Sequence, residues 1–482
     1  MPILSGDSGA LEMKKARSRH CRSKSLQKRR EQLIVRCVAR NPSPMKLSEI
    51  LDGLTKSRSP SVNSLSIGDI QHVVSNMSRR RESSFVRVAS GRYDLRVKVE
   101  LRDHIRKRLI GQGFVIDKNG NLAQPSMDCK ESLREFHAAA RADKYRSMER
   151  FLKEKEHRLL SNFADGSEVD IESFTPAIQV VESESSDNDL FRYASLLWSV
   201  PVSGGFGRRV RFIVRDNDNG KLVGLFALGD PVFNLRCRDD WIGWDGRQRG
   251  RRLYNVMDVF VLGAVPPYNR LLCGKLIALA ACSNEVRLIV EKKYRGSRTM
   301  IQNKKKDPRL VLLTTGSALG RSSIYDRIKV NDQLVYQRIG CSLGYGHFHF
   351  NDGLFEEMTR FVSLCDPALA HSNKFGQGPN WKMRVSRYCL QRLGMGTELQ
   401  QHGIRREIYA IPLASNFREF LTDTDKKPEF IDRPFAMLST YFKQRWMIGR
   451  AEREPDYKSH VKQRVSDLIH SAGKFDLEES WT

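Results

Sequence analysis

The stretch from Asn255 to Val286 constrains the fold most, because it combines an apolar strand, a sharp break and an apolar helix. The apolar run from Val256 to Leu262 predicts the strand. Pro266 and Pro267 end it, since proline lacks an amide hydrogen and fixes φ. Apolar residues then recur at helical spacing from Leu271 to Ala280. A strand that feeds a helix in this way is typical of an α/β domain with a mixed sheet.

The same stretch contains a candidate anion-binding loop. Gly274 and Lys275 fall in the first turn of the predicted helix, where free backbone amides favour an anion, and Arg270 lies just before them. Ligands of α/β sheets collect outside the carboxyl ends of strands, and this loop follows such an end. We therefore expect Arg270, Gly274 and Lys275 to bind an anion. The alternative is that Lys275 extends to solvent and Gly274 only allows close helix packing.

The charge of the chain is strongly positive. Its 482 residues carry a formal net charge of +26 at pH 7, with a sequence pI near 9.8. Such a balance implies attraction to polyanions, nucleic acid first and anionic membrane second. A soluble basic protein without such a partner is the alternative. The hydrophobic fraction of 40% supports real cores, and the length predicts two or three domains.

The first hundred residues predict a nucleic-acid-binding unit. They hold 21 Lys+Arg against 9 Asp+Glu, which gives +12. Residues 1–24 read as a disordered basic arm, and residues 25–100 contain three helical patterns followed by a hairpin pattern. Ser66 is a good N-cap for the third helix, with Asp69 as its capping-box partner. This order is typical of a winged helix-turn-helix, whose third helix enters the major groove and whose wing lies on the backbone.

Protein contact is the alternative use of such a winged helix. For DNA contact, the candidate residues of this unit are the basic end of the third helix and one arginine of the wing, namely Arg79, Arg80, Arg81 and Arg92.

The rest of the chain predicts a helical connector over residues 101–180 and an α/β core with a C-terminal extension over residues 181–482. Glu182–Asp189 is acidic and polar, which predicts a surface loop. Glycines at positions 204, 205 and 207 precede Arg208 and Arg209, so that backbone and guanidinium groups could clamp one phosphate. A simple hairpin turn is the alternative.

Two histidines and a carboxylate form the first catalytic candidate. His347 and His349 alternate by two in a predicted strand over residues 345–350, so both would face one side, and Asp352 follows. This set could bind a metal ion, although a polar strand face is the commoner arrangement. No residue is therefore assigned as a metal ligand.

Three further carboxylates are candidates for a metal-dependent nuclease, which needs carboxylates that converge at strand ends. They are Asp230, Asp239 and Asp258. Asp258 is unusual because it lies inside an apolar strand, where a charge is costly unless it is paired. Arg209 or Arg211 could pair with it, and a structural ion pair is as consistent with the pattern as catalysis.

Several classes of protein are disfavoured. The nine cysteines are scattered without a C-x-x-C pair, which argues against a disulfide framework and a structural zinc site. Neither a signal peptide nor a membrane-length apolar run is apparent, so we expect a cytoplasmic protein without membrane contact. No Walker A loop, Rossmann fingerprint or helicase motif is present, so ATP-driven work requires a partner. No cofactor is indicated.

A set of short motifs is spread over residues 198–407. They are Trp198–Ser203, Gly207–Phe212, Lys221–Gly224, Asp230–Val232, Ile242–Trp244, Val265–Asn269, Gly274–Leu276, Gly344–Phe350, Gly378–Trp381 and His402–Glu407. Together they resemble the Druantia anti-phage system protein A family, over roughly residues 100 to 455. One departure is Cys273, where the family pattern has glycine. The resemblance implies a bacterial cytoplasmic defence protein that acts with a large helicase-like partner, and it implies no settled chemistry.

The order of strand, Val-Pro-Pro turn, loop and helix is also similar to the GNAT acyltransferase fold. In that fold, a loop of the type Arg/Gln-x-x-Gly-x-Gly/Ala receives the pyrophosphate of coenzyme A. The loop from Arg270 to Lys275 lacks both glycines at the required spacing, so the similarity is one of topology. We therefore expect a defence-system component that binds DNA through basic surfaces. The alternatives are a metal-dependent nuclease and a degenerate GNAT-like acyltransferase, and whether the chain is an enzyme stays open.

Overall fold

The computed structural model describes residues 25–56, 65–79, 84–118, 120–124, 130–202, 207–298, 303–342, 344, 346, 349–350, 352–367, 369, 381–423 and 426–474. They form a mixed α/β fold, which confirms the predicted class. The chain divides into two compact units. The first comprises Met1–Ile110, Ile116–Leu122 and Phe350–Gln400, and the second comprises Gly111–Val115, Ala123–His349 and Gln401–Thr482.

The first unit begins with helices and a hairpin in the predicted order. The helices cover 25–40, Leu47–Lys56 and Ile67–Arg79, and the antiparallel hairpin is formed by Phe85–Ala89 and Arg92–Leu95. Met45 and Tyr93 form an antiparallel bridge, which adds a third short segment beside the hairpin. Each predicted helix buries its apolar stripe, with residues such as Ile34, Ile50 and Ile70 fully enclosed.

The predicted cap of the third helix is confirmed. The Asp69 amide donates to the Ser66 hydroxyl at 3.2 Å, and the Ser66 amide donates to the Asp69 carboxylate at 2.8 Å. Two free amides are satisfied reciprocally, which explains why the helix begins at Ile67.

A buried ion cluster joins the hairpin to the helix Arg96–Ile110. Asp94 and Lys98 are both fully buried, and the Lys98 ammonium lies 2.9 Å from the Asp94 carboxylate. Arg102 adds a second cation at 2.8 Å. Lys98 also donates to the carbonyls of Val38 and Asn41, at 3.3 and 2.6 Å. The helices Asp352–Cys365 and Trp381–Leu393 and the 3-10 turn Thr397–Gln400 complete this unit.

The second unit is built on a seven-stranded sheet. Its strands in chain order are β1 Pro176–Val181, β2 Arg209–Asp216, β3 Leu222–Gly229, β4 Val256–Ala264, β5 Leu312–Gly316, β6 Gln337–Cys341 and β7 Glu407–Pro412. Their order across the sheet is β6-β7-β5-β4-β3-β2-β1. β4 and β5 are parallel, and the other neighbours are antiparallel.

The central stretch folds as predicted. β4 extends over Val256–Ala264 and leads into the helix Cys273–Ala281, whose residues are buried at almost every position. A helix that is apolar all round belongs in a core. It packs on one sheet face together with the helices Asn284–Tyr294 and Phe435–Phe442.

The opposite sheet face carries two separate apolar clusters. One packs the helices Glu149–Leu160, Ser186–Ala194 and Gln463–Gly473 against β2 and β3, and the other packs Arg236–Ile242 and Phe417–Thr422 against β5 and β7. Along β4, Val256 belongs to the second cluster and Val261 to the first. Asp258 lies between them, so this face has a polar interval at the middle of the sheet.

Smaller elements also occur along the chain. They are the helices Lys130–Phe136, Ala138–Arg146, Gly246–Arg252 and Ile448–Arg453, the π-helix Lys443–Met447, the 3-10 turns Gly166–Glu168, Ser195–Leu197, Leu253–Asn255, Tyr325–Arg327 and Pro455–Ser459, and the strand pairs Val115–Ile116 with Leu122–Ala123 and Lys329–Val330 with Gln333–Leu334.

The predicted loop at Glu182–Asp189 is only half correct. A helix begins at Ser186, because the Ser185 hydroxyl accepts the Asn188 amide and caps it. In the described part of the chain, no helix is long and apolar enough to span a bilayer.

Candidate functional site

Asp258 lies where two parallel strands part. The pairing of β4 with β5 covers Val256–Asp258 against Leu312–Thr314, while β4 continues to Ala264. Just past this point the Thr315 hydroxyl donates to the Val259 carbonyl at 2.8 Å. The Asp258 carboxyl thus lies where the backbone pairing of β4 with β5 ends.

The electrostatics of Asp258 set it apart from other carboxyls of the sheet. Burial raises its pKa to about 6, which outweighs the hydrogen bond from the Thr314 hydroxyl at 2.9 Å and the charges of Arg238 and Arg406. The fully buried Arg238 directs its guanidinium to Asp239 at 2.7 and 2.9 Å and to two backbone carbonyls. A carboxyl that titrates near neutral pH can accept or release a proton during a reaction.

The cations around Asp258 are not those that the sequence suggested. Arg209 lies over the Phe260 ring, 4.0 Å from its centroid, and Arg211 donates to the Asn188 side chain at 2.6 Å. The charges that act on Asp258 come from Arg238 and Arg406. Neither lies near Asp258 in the chain, and only the folded sheet brings them together.

Arg208 and Asp230 form an internal pair. The Arg208 side chain donates to Asp230 at 2.7 Å, and its amide donates to the same carboxylate at 2.8 Å. The guanidinium also lies 3.8 Å from the Tyr254 ring centroid and donates to the Val256 carbonyl at 3.1 Å. These contacts favour a structural role for Arg208. The phosphate clamp stays a prediction, since residues 203–206 lie outside the described chain.

The structure describes one of the two candidate histidines, His349. His349 is fully buried in a turn, and its ring centroid lies 6.3 Å from that of His402. The predicted strand is therefore not formed at His349, while His347 lies outside the described residues. Asp352 begins the helix Asp352–Cys365 of the first unit. Among described residues, no group of three or more His, Cys, Asp and Glu side chains could hold a metal ion.

The contacts of the predicted anion-binding loop fit the prediction only in part. Gly274 and Lys275 are in the first turn of the central helix, as predicted. Arg270 instead pairs with Asp456 at 2.9 Å, so its charge is matched within the fold. A side chain at Gly274 would approach Ile324 to 3.1 Å, which supports a packing role for this glycine.

The winged-helix candidates lie in the first unit. Arg79 is the last residue of the third helix, and Arg80 and Arg81 lie outside the described residues. Arg92 donates to the Pro44 carbonyl at 2.8 Å and lies 3.6 Å from Glu49, so it braces the hairpin.

Sequence reasoning missed other exposed polar groups of this unit. They are Gln71 and His72 on the third helix and Arg87 on the first hairpin strand. Their helical or strand positions were predictable, but their exposure depends on how the helices and the hairpin pack.

Comparison with known proteins decides the family. A family model described as Druantia protein DruA matches residues 127–423. A curated Druantia protein DruA from Escherichia coli (strain UMEA 4076-1) is 40% identical over 373 residues, which cover 77% of this chain and 92% of the relative. This chain belongs to the Druantia protein DruA family. No solved structure matches it.

Membership of the Druantia protein DruA family confirms the resemblance carried by the motifs and makes the chain a component of an anti-phage defence system. The range matched by the Druantia protein DruA model contains Asp258 and Lys275. The three N-terminal helices and the hairpin precede that range.

Proposed function

We propose that the chain binds DNA for its defence system through a winged helix in the first unit. The observation that carries the proposal is the order of elements there. A helix over residues 25–40 is followed by the Met45–Tyr93 bridge, two further helices and the hairpin. In winged helices this order places the third helix in the major groove and the hairpin on the backbone.

The chemistry of the third helix fits base contact. Its exposed face carries Gln71 and His72, and the His72 ring is hydrogen-bonded to the Asn76 side chain at 2.9 Å. Side-chain amides read base edges in the major groove through paired hydrogen bonds. Arg79 ends the helix, and we propose that it contacts phosphates together with Arg80 and Arg81, which follow it in the sequence, and Arg87 on the wing. Such contacts position the protein without reading sequence.

The charge of the segment adds a sequence-independent attraction. The first hundred residues carry +12, and each phosphate neutralised by a cation releases counterions. Because the sequence has no nucleotide-hydrolysis motif, strand separation would depend on a helicase-like partner of the same system.

The test measures fluorescence anisotropy of the full chain on a short labelled duplex at several salt concentrations. Changing Arg79, Arg80 and Arg81 to Ala should flatten the plot of log affinity against log salt by about one unit per lost phosphate contact. The matched control changes Lys304, Lys305 and Lys306 of the second unit to Ala. An unchanged slope in the arginine variant, or an equal loss in the lysine variant, contradicts the proposal.

A second candidate function concerns the sheet. We infer a GNAT-like core from the order β1-β2-β3-β4-β5-β7-β6 and from the parallel pair β4 and β5, which parts at Asp258. In this function Asp258 accepts a proton from a nucleophile that binds beside the end of the paired segment, because its pKa of about 6 leaves it mostly ionised at neutral pH.

This candidate is tested by thiol release from acetyl-coenzyme A with spermine as acceptor. The rate should rise with pH through about 6 and be lost in Asp258→Asn. A rate that is equal in Asp258→Asn and the unchanged chain contradicts this candidate, and it leaves the DNA-binding proposal unaffected.

A further inference from the structure

Three cations and one indole ring meet at the start of the central helix. The Lys275 ammonium lies 4.6 Å from the centroid of the Trp446 ring. Arg445 is the neighbour of Trp446 in the π-helix Lys443–Met447. Arg327 ends the 3-10 turn that follows Ile324, and Ile324 packs against the helix position of Gly274. Segments that are distant in the chain therefore bring their charges to one place.

The cations of this cluster have no ion-pair partner in the part of the chain that the structure describes. The positive charges of Arg327 and Arg445 lower the pKa of Lys275, after burial as the larger cause. Their chain neighbours do form ion pairs, as in the pairs Arg270–Asp456, Arg321–Asp326 and Arg450–Glu454. Like charges held together cost free energy, which a bound anion would offset.

An open depression lies on the helical stretch that leads to Trp446, and it is lined by Ala436, Met437, Thr440, Tyr441 and Gln444. The Tyr441 ring packs edge-on against Trp446 at 5.5 Å, which connects this depression to the cluster. A ligand held by the cations could therefore contact this helical face on one side. The π-helical turn that carries Trp446 widens the helix at this point, and such turns are frequent at functional sites.

We propose that Lys275, Arg327, Arg445 and Trp446 bind a phosphate-bearing small molecule. Its phosphates lie among the three cations, and its remaining part lies against the helical face beside Tyr441. The two guanidinium groups can each hold phosphate oxygens in pairs, while Lys275 acts as a point charge. The site is made of side chains from three segments. It is independent of the DNA contact proposed for the first unit.

A compact polyphosphate fits this cluster better than a nucleic-acid backbone. The cations converge on a partly buried lysine, whereas DNA-binding surfaces track regularly spaced charges along a strand. Arg327 and Arg445 are exposed, so a ligand can approach from solvent.

The experiment is calorimetric titration of the full chain with inorganic pyrophosphate and, separately, with ADP. Each of Lys275→Met, Arg327→Gln and Arg445→Gln should weaken binding of both probes by about tenfold or more. Lys275→Arg keeps the charge and should retain most of the affinity. The control is Lys292→Met, an exposed lysine of the helix Asn284–Tyr294, which should bind as the unchanged chain does.

The proposal is overturned if the unchanged chain binds neither probe at millimolar concentration. It is also overturned if Lys292→Met weakens binding as much as the cluster variants do. A third arm adds a short DNA duplex. If the cluster variants weaken duplex binding as strongly as pyrophosphate binding, the phosphates belong to DNA and the small-molecule site is wrong. Thermal melts of each variant distinguish unfolding from loss of the site. If Lys275→Met is unfolded, the Lys275→Arg result decides the test.

Discussion

Asp94 and Asp258 are acids that differ in how their charge is compensated, and Asp258 is only partly buried. Asp94 is fully buried and lies within 3 Å of both Lys98 and Arg102, at 2.9 and 2.8 Å. At Asp258, burial outweighs the Thr314 hydrogen bond and the nearby arginine charges, and the pKa rises to about 6. Removing one partner of a buried ion pair leaves an unpaired buried charge, although burial outweighs the effect of Asp94 and lowers the pKa of Lys98. A carboxyl such as Asp258 can instead exchange protons near neutral pH.

The largest change in the free energy of unfolding should come from replacing Asp94. Asp94→Ala leaves the Lys98 ammonium buried without its counterion, which should cost about 3–5 kcal/mol of unfolding free energy. Urea unfolding of the full chain measures the cost for the first unit. Glu357→Ala serves as the control, because its contact with His104 is largely exposed and should contribute less than about 1 kcal/mol. Similar costs for the two variants would contradict the assigned role of the cluster.

Replacing Asp258 should change the free energy of unfolding in the opposite direction. The folded pKa of Asp258 lies above its ordinary value of 3.8, so ionisation opposes folding, and stability falls as pH rises from about 4 to about 6. Asp258→Asn removes this cost and should stabilise the chain at neutral pH by on the order of 2 kcal/mol. Near pH 4 both forms are uncharged, and their stabilities should converge. Urea unfolding at both pH values checks the difference, and equal destabilisation at both would contradict it.

The smallest effect should come from Arg208, whose pair with Asp230 is only partly enclosed. Arg208→Lys keeps the charge but loses the planar contact with the Tyr254 ring, and it should cost about 1 kcal/mol in a thermal or urea melt. Arg209→Lys is the matched comparison, since an ammonium can still lie over the Phe260 ring. If Arg209→Lys is the more damaging of the two, the structural role belongs to Arg209.

Much of the fold could be predicted because its signals are local. The strand and helix of the central stretch follow from apolar spacing and two prolines, and the third N-terminal helix follows from the Ser66 and Asp69 cap. The prediction of a loop at Glu182–Asp189 was partly wrong, and the reason is also local. Ser185 is the N-cap of a helix, although the acidic composition of the segment favoured a loop.

The partners of the candidate sites could not be predicted in the same way. Asp258 was identified as unusual from its strand, but Arg238 and Arg406 reach it only after the sheet forms. Lys275 was identified from its helix position, yet Arg445 lies in a π-helix far along the chain. Side-chain charge compensation is a tertiary property, and a single sequence carries no local pattern for it.

The protonation of Asp258 decides whether its charge is compensated differently from that of Asp94. The most direct measurement is a pH titration of the full chain labelled with carboxyl-¹³C aspartate, with the Asp258 signal identified by its absence in Asp258→Asn. We expect an apparent pKa near 6 for this carboxyl. A midpoint at or below the ordinary aspartate value of 3.8 would contradict this expectation.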